Sequence, residues 1–278
     1  MGDNSQSSNL SKIQQVIDNK SSNQMMFEVK NIFEQHNNTP FTQRKGNWTS
    51  HLSVGFNNQR NKNVSETDLV CGIGTGYRII VECKYLGDVS WVFWPDNNLD
   101  ESEQKKTIID MYGWNHKLFD ESFSVQITDL FVSRYEEKRV RLFEMVRCKS
   151  GSEYVLNDKI DDERSGLSRA RNQVLDSFIE LKTRYTVTIP VVVVKGNKPL
   201  VYRSDSLCEE DIVIWDCRYP DKTGVIYDFS IPIIHMNYLD EFISEYENSD
   251  ITKSQLLSGL VSESRRRGTV RNTNRSYE

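Results

Sequence analysis

The chain has 278 residues, a length that suits one large domain or two small ones with a real core. Its 37% hydrophobic content is slightly low and its charge content ordinary, as in a globular protein with polar ends. A formal net charge of -5 excludes a global electrostatic pull toward nucleic acid, so any such binding must come from local patches.

Residues 1–22 read as a polar, disordered or short helical extension, with Leu10, Ile13, Val16 and Ile17 at helical spacing. Ser22 or Asn23 can cap a second helix carrying Met25, Met26, Val29, Ile32 and Phe33, which the breaker Asn37-Asn38-Thr39-Pro40 ends. Trp48, Leu52, Val54 and Phe56 alternate with polar residues, the period of a strand. A polar loop from Asn57 to Val64 leads to two further strands, joined by a glycine turn, between Thr67 and Tyr85. Another strand, Trp91 to Trp94, stops at Pro95, and a helix is expected from Glu101 to Phe119. Two β-rich runs, Phe123 to Ser133 and Arg139 to Cys148, flank a charged turn and read as a hairpin. The acidic loop Asp158 to Glu163 opens a helix from Arg164 to Lys182, with Leu167, Ala170, Val174, Phe178 and Leu181 on one face. Thr186 to Val194 is apolar throughout, like a central strand, and its Pro190 predicts a bulge or an edge position. Strands are expected at Leu200–Tyr202, Asp211–Trp215, Val225–Phe229 and Ile233–His235, then helices at Tyr238–Tyr246 and Thr252–Val261 and a basic, disordered tail.

The five cysteines form no CxxC pair and lie mostly in apolar runs, so they read as reduced core residues of an intracellular protein. The four histidines are scattered and make no metal motif. No apolar run is long enough to span a bilayer and no secretory leader is visible, so a cytoplasmic location without a membrane partner is expected.

Chemistry concentrates in the segment TDLVCGIGTGYRIIVECKY, residues 67–85. Side chains alternate along a strand, so Glu82 and Lys84 share one face while Val81, Cys83 and Tyr85 share the other. Asp68 stands on the preceding strand. Two carboxylates beside one ammonium suit a hard divalent cation and a polarised phosphate. Gly72-Ile73-Gly74-Thr75-Gly76 looks like a dinucleotide loop, but a β-rich run follows it where that motif needs a helix, so it reads as a hairpin turn.

The order helix, strand, Asp68-bearing strand, Glu82-Cys83-Lys84-bearing strand, helix and apolar strand resembles the core of the PD-(D/E)xK nuclease superfamily, which includes many restriction endonucleases and DNA-repair nucleases. The resemblance covers roughly Gln24 to Tyr85 and Arg164 to Val194, and Thr67 stands where the family's first motif has proline. It implies an α/β (α+β) fold: a mixed central sheet flanked by helices, at residues 23–250, with an inserted β-hairpin region at about 91–162 and a C-terminal helix and tail at 251–278.

The resemblance further implies a magnesium site, which manganese can also fill, made by Asp68, Glu82 and the Cys83 backbone carbonyl. Lys84 would orient or deprotonate the attacking water and stabilise the charged transition state. The implied activity is endonucleolytic hydrolysis of DNA in restriction or antiviral defence, by a homodimer or with a defence-system partner. Many relatives carry a glutamate on the first helix, and here Glu28 is the best candidate for a further ligand, with Glu34 second. Glu66 reads as a further ligand or as a solvated charge at a loop end.

Gln173 or Arg171 would face the scissile phosphate or a metal-bound water, or simply lie on a solvated helix face. Two basic stretches, one with Arg44, Lys45, Arg60 and Lys62 and one with Arg169 and Arg171, are candidate DNA-backbone contacts. Two rival expectations stand beside this one. One is a catalytically silent nuclease-like fold that binds nucleic acid or a protein; the other is an RNase or effector nuclease switched on by a partner.

Overall fold

A computed structural model describes residues 23–58, 62–74, 77–87, 89–95, 139–149, 152–157, 166–181, 187–203, 206–220 and 226–248. They form a mixed α/β architecture, a central sheet of parallel and antiparallel strands with helices against both faces. The expected helices at 10–17, 101–119 and 252–261, the strand at 123–133 and the basic tail lie outside the described residues.

Helix α1 covers residues 23–35 and buries Met25, Met26, Val29 and Phe33, the apolar stripe its spacing predicts. After a 3-10 turn (His36–Asn38) the supposed breaker starts a short helix, α2 (Pro40–Lys45). Thr39 caps it, its hydroxyl oxygen accepting from the Thr42 N–H, and Pro40 sits at the first helical position, where a missing N–H costs nothing.

Strands β1 (Trp48–Asn58) and β2 (Asn63–Ile73) make a long antiparallel hairpin, so the polar loop between them is shorter than its composition suggests. β3 (Tyr77–Gly87) returns against β2, and Gly74, at φ 53°, supplies the left-handed turn residue. Then come β4 (Val89–Pro95), β5 (Arg139–Lys149), β6 (Ser152–Asn157), helix α3 (Gly166–Leu181) and β7 (Val187–Gly196). The hairpin partner of β5 is β6; its other edge is taken by β4, and β10 adds three residues of pairing beside β6. The remaining elements are β8 (Leu200–Arg203), β9 (Ser206–Glu209), β10 (Ile212–Pro220), β11 (Ile226–His235) and, after a 3-10 turn, helix α4 (Leu239–Asn248). β11 is one continuous strand across the two short ones expected there.

The sheet order is β1-β2-β3-β7-β11-β10-β5-β4-β8-β9, with β6 beside β5. β7 lies parallel to β3 on one side and to β11 on the other. Pro190 fits within it because the β11 ladder begins only at Val192, leaving that edge of β7 open at the proline. Helices α1 and α4 cover one face through Phe33, Leu239 and Phe242 against Leu69, Val81 and Val193. Helix α3 covers the other through Leu167, Val174 and Phe178 against Ile80, Val192 and Ile231. No described helix is long and apolar enough to cross a membrane.

Candidate active site

The site forms where β2 and β3 part. Their ladder stops at Leu69 opposite Val81; beyond it β2 stays with β1 as far as Asn63, while β3 follows β7 as far as Gly87. Asp68 and Glu82 are the first residues past the fork. Ser53 on β1, set across from Asp68 between the pairs Leu52/Leu69 and Val54/Thr67, has φ 52°. A left-handed serine within a strand is strained by about 1–3 kcal/mol, and here the strain falls at the level of the fork.

Parting strands leave backbone groups without rungs, and side chains take them over. The Cys83 N–H donates to Asp68 Oδ2 at 2.7 Å, and the fully buried Thr67 hydroxyl donates to the Val81 carbonyl at 3.5 Å. Strand geometry aims the Cys83 carbonyl to the same side as its N–H, toward the fork. Alternation sends Glu82 and Lys84 to the α3 face and Cys83 to the core beneath α1.

Lys84 Nζ donates to Glu82 Oε1 at 2.7 Å and to Gln173 Oε1 of α3 at 2.9 Å. Glu82 is 1% exposed, and its second oxygen, Oε2, has no hydrogen-bond partner among the described residues. A buried carboxylate with one oxygen unsatisfied is costly. Burial is the main cause that pushes the Glu82 carboxyl up to about 8; the Asp68 charge adds to the rise and Lys84 opposes it. Burial raises Asp68 too, against the Cys83 N–H and Lys84, while exposed Glu66 adds a little. Among the described residues one ammonium therefore serves both carboxyls, with the Asp68 N–H a smaller support for Glu82.

Among the described residues no set of three or more His, Cys, Asp or Glu side chains is arranged to hold a metal ion. Asp68, Glu82 and the Cys83 carbonyl still fit a magnesium-like cation, which takes one or two carboxylates and fills its remaining positions with water or phosphate oxygens. The orphaned Glu82 Oε2 is the oxygen such a cation would satisfy.

The structure brings together Asp68, Glu82, Lys84 and Gln173. Glu28 lies under the opposite face, ion-paired with Lys195 and accepting from Gln24, and Glu34 pairs with Lys30. Arg171 stacks its guanidinium over Trp215 at 5.6 Å and Tyr219 at 5.9 Å, while Arg169 is exposed. Arg44 and Lys45 are exposed on α2 near the Gly74 turn, and Lys62 is exposed at the far end of the β1–β2 ladder. About ten residues of strand, some 33 Å, separate them, so they form no single patch; Arg60 lies outside the described residues.

Two polar groupings escaped the sequence because their members are far apart in the chain. Asp176 of α3 accepts from Asn58 and Tyr219, at 2.7 Å each. On the other face His36 lies between Asp240 and Glu247, and the Trp48 indole donates to Glu247 at 2.8 Å. Compared with known proteins, the chain matches no family model, no curated protein and no solved structure.

Proposed function

We propose that this chain is a divalent-metal-dependent nuclease that hydrolyses DNA phosphodiester bonds, with Asp68, Glu82 and Lys84 as its working groups. The observation that carries the reading is the buried Glu82 Oε2, without a partner among the described residues, beside Asp68 and the Lys84 ammonium. The arrangement of β1, β2 and β3 as an antiparallel set, with α3 leading to β7 parallel to β3, supports a restriction-endonuclease-like core.

A magnesium ion held by Asp68, Glu82 and the Cys83 carbonyl would supply Lewis acidity to the scissile phosphate and its attacking water. Lys84, at the rim of the site, would hold its ammonium where negative charge builds on the phosphate oxygens and would help orient the attacking water. Gln173 holds that ammonium from the helix side, so its direction does not depend on Glu82 alone. Burial keeps bulk water from screening the Glu82 carboxyl.

Restriction or antiviral defence is the setting we propose, with a homodimer cutting both strands of a duplex. Plasmid, linear duplex, single-stranded DNA and RNA, each incubated with magnesium, test the activity directly. The expected result is DNA cleavage by the parent, reduced at least 100-fold in Glu82→Ala and Lys84→Ala, the scale of a lost transition-state contact. Equal cleavage by parent and variants would sink the proposal. Cleavage of RNA alone would favour an RNase, and manganese binding by calorimetry without cleavage would favour a nuclease awaiting an activating partner. Neither binding nor cleavage would leave a catalytically silent fold.

A further inference from the structure

Asn58 ends β1 and Tyr219 lies near the end of β10, with β2, β3, β7 and β11 between those strands. In a flat sheet five strand spacings would separate them by about 24 Å. Yet both donate to one carboxylate, Asn58 Nδ2 to Asp176 Oδ2 and Tyr219 Oη to Asp176 Oδ1, at 2.7 Å each. The sheet is thus coiled around α3, and Asp176 closes the coil across the helix. Asn58 and Tyr219 are 3% and 2% exposed, so these bonds are made away from competing water.

Asp176 is three residues after Gln173, so the two stand on neighbouring positions of one helical face. The Ser177 hydroxyl donates to the Gln173 carbonyl at 2.7 Å and braces the same turn. Rotation of α3 or its slip along the sheet would carry Gln173 Oε1 away from Lys84 Nζ. The two bonds to Asp176 oppose both motions, since one ties the helix to β1 and the other to β10.

We propose that Asp176 is a positioning residue for Lys84, acting through Gln173 by fixing the rotation and register of α3 in the coiled sheet. Its catalytic consequence rests on the nuclease reading; its structural consequence does not. Asp176→Ala removes the acceptor of both bonds and leaves no amide that could rotate into their place. The exchange Asn58→Asp, Asp176→Asn keeps both bonds, with the donor–acceptor sense reversed at position 58. Tyr219→Phe removes the hydroxyl, which also lies 3.5 Å from the Asn172 carbonyl, and serves as the milder lesion.

The test combines cleavage kinetics with NMR of the Lys84 ammonium, whose slow proton exchange reports its two hydrogen bonds. In Asp176→Ala we expect the ammonium signal to broaden or vanish and kcat to fall about tenfold with KM little changed, a small misplacement at the site. Tyr219→Phe is expected to fall between Asp176→Ala and the parent. The double variant Asn58→Asp, Asp176→Asn is expected to keep both readouts parental. A parental ammonium signal in folded Asp176→Ala, or its loss in a folded double variant, would overturn the proposal. If the parent cuts no nucleic acid yet the ammonium signal follows this pattern, the positioning role stands and the nuclease reading fails.

Discussion

Two buried acidic clusters lie on opposite faces of the sheet, and they differ in how completely they are satisfied. Beneath α4, Glu247 accepts from both the Trp48 indole and His36, whose other ring nitrogen faces Asp240 at 3.0 Å. The hydrogen bond to Glu247 is the main cause that raises His36 above its ordinary 6.5, and a carboxylate at each ring nitrogen favours its doubly protonated form. Burial pushes Glu247 up, but hydrogen bonds from His36, Trp48 and Thr39 outweigh it and hold the carboxyl below the usual range. At the β2–β3 fork the balance is reversed: burial prevails, both carboxyls are raised and Glu82 Oε2 has no partner among the described residues. A cluster that completes its own bonds holds elements together. One that leaves a bond unmade has capacity for a ligand.

The largest test of that contrast is Glu247→Gln. Breaking a buried charged pair typically costs about 3–5 kcal/mol, so denaturant unfolding should show a loss of that order. Cation affinity at the fork should stay at the parental value; a matching loss there would mean that the two faces are not separate. Next in size is stabilisation by ligand. At a hundred times its Kd, magnesium should stabilise the parent by about 2.7 kcal/mol, and thermal melts of Glu82→Gln should show no such gain. A raised melting temperature of Glu82→Gln without metal would sharpen the contrast, since the amide removes an under-compensated charge.

The pH dependence separates the clusters by sign. Stability from His36 is fully present below 6.5 and is lost as pH rises through its raised folded value. Stability from Glu247 is present above 4.5 and is lost as pH falls through its lowered folded value. Raised Glu82 makes metal-free stability fall between 4.5 and about 8. Unfolding curves across this range should therefore flatten in part with magnesium and in part with His36→Gln, each removing a different share. The smallest effect is expected for Glu28→Gln. Its pair with Lys195 is about one-third exposed, so unfolding should change by under about 1 kcal/mol and cation affinity by under twofold. A large loss of cation affinity would restore Glu28 as a ligand.

Local pattern made much of the fold legible. Period-two alternation placed β1, β-rich and apolar runs placed β3 and β7, and helical spacing placed α1 and α3. Asp68, Glu82 and Lys84 were legible because alternation and strand pairing settle which side chains share a face. Pairing at long range was not. β5 shows a strand but not its partners, and nothing near Asn58 or Tyr219 signals that they meet on Asp176. Glu28 borders the right helical stripe, yet the sheet lies between it and the fork, a separation that sequence order does not carry.

Cys83 offers a last consequence. Its backbone serves the fork while its thiol is sealed in the opposite core, 2% exposed. Under the proposed function, the site would depend on the main chain at this position, and the side chain would be constrained by volume and apolarity. Alanine, valine or serine at 83 should each retain the site to the extent that the core beneath α1 accommodates it. A motif search demanding cysteine here would overlook related chains that share the same fork.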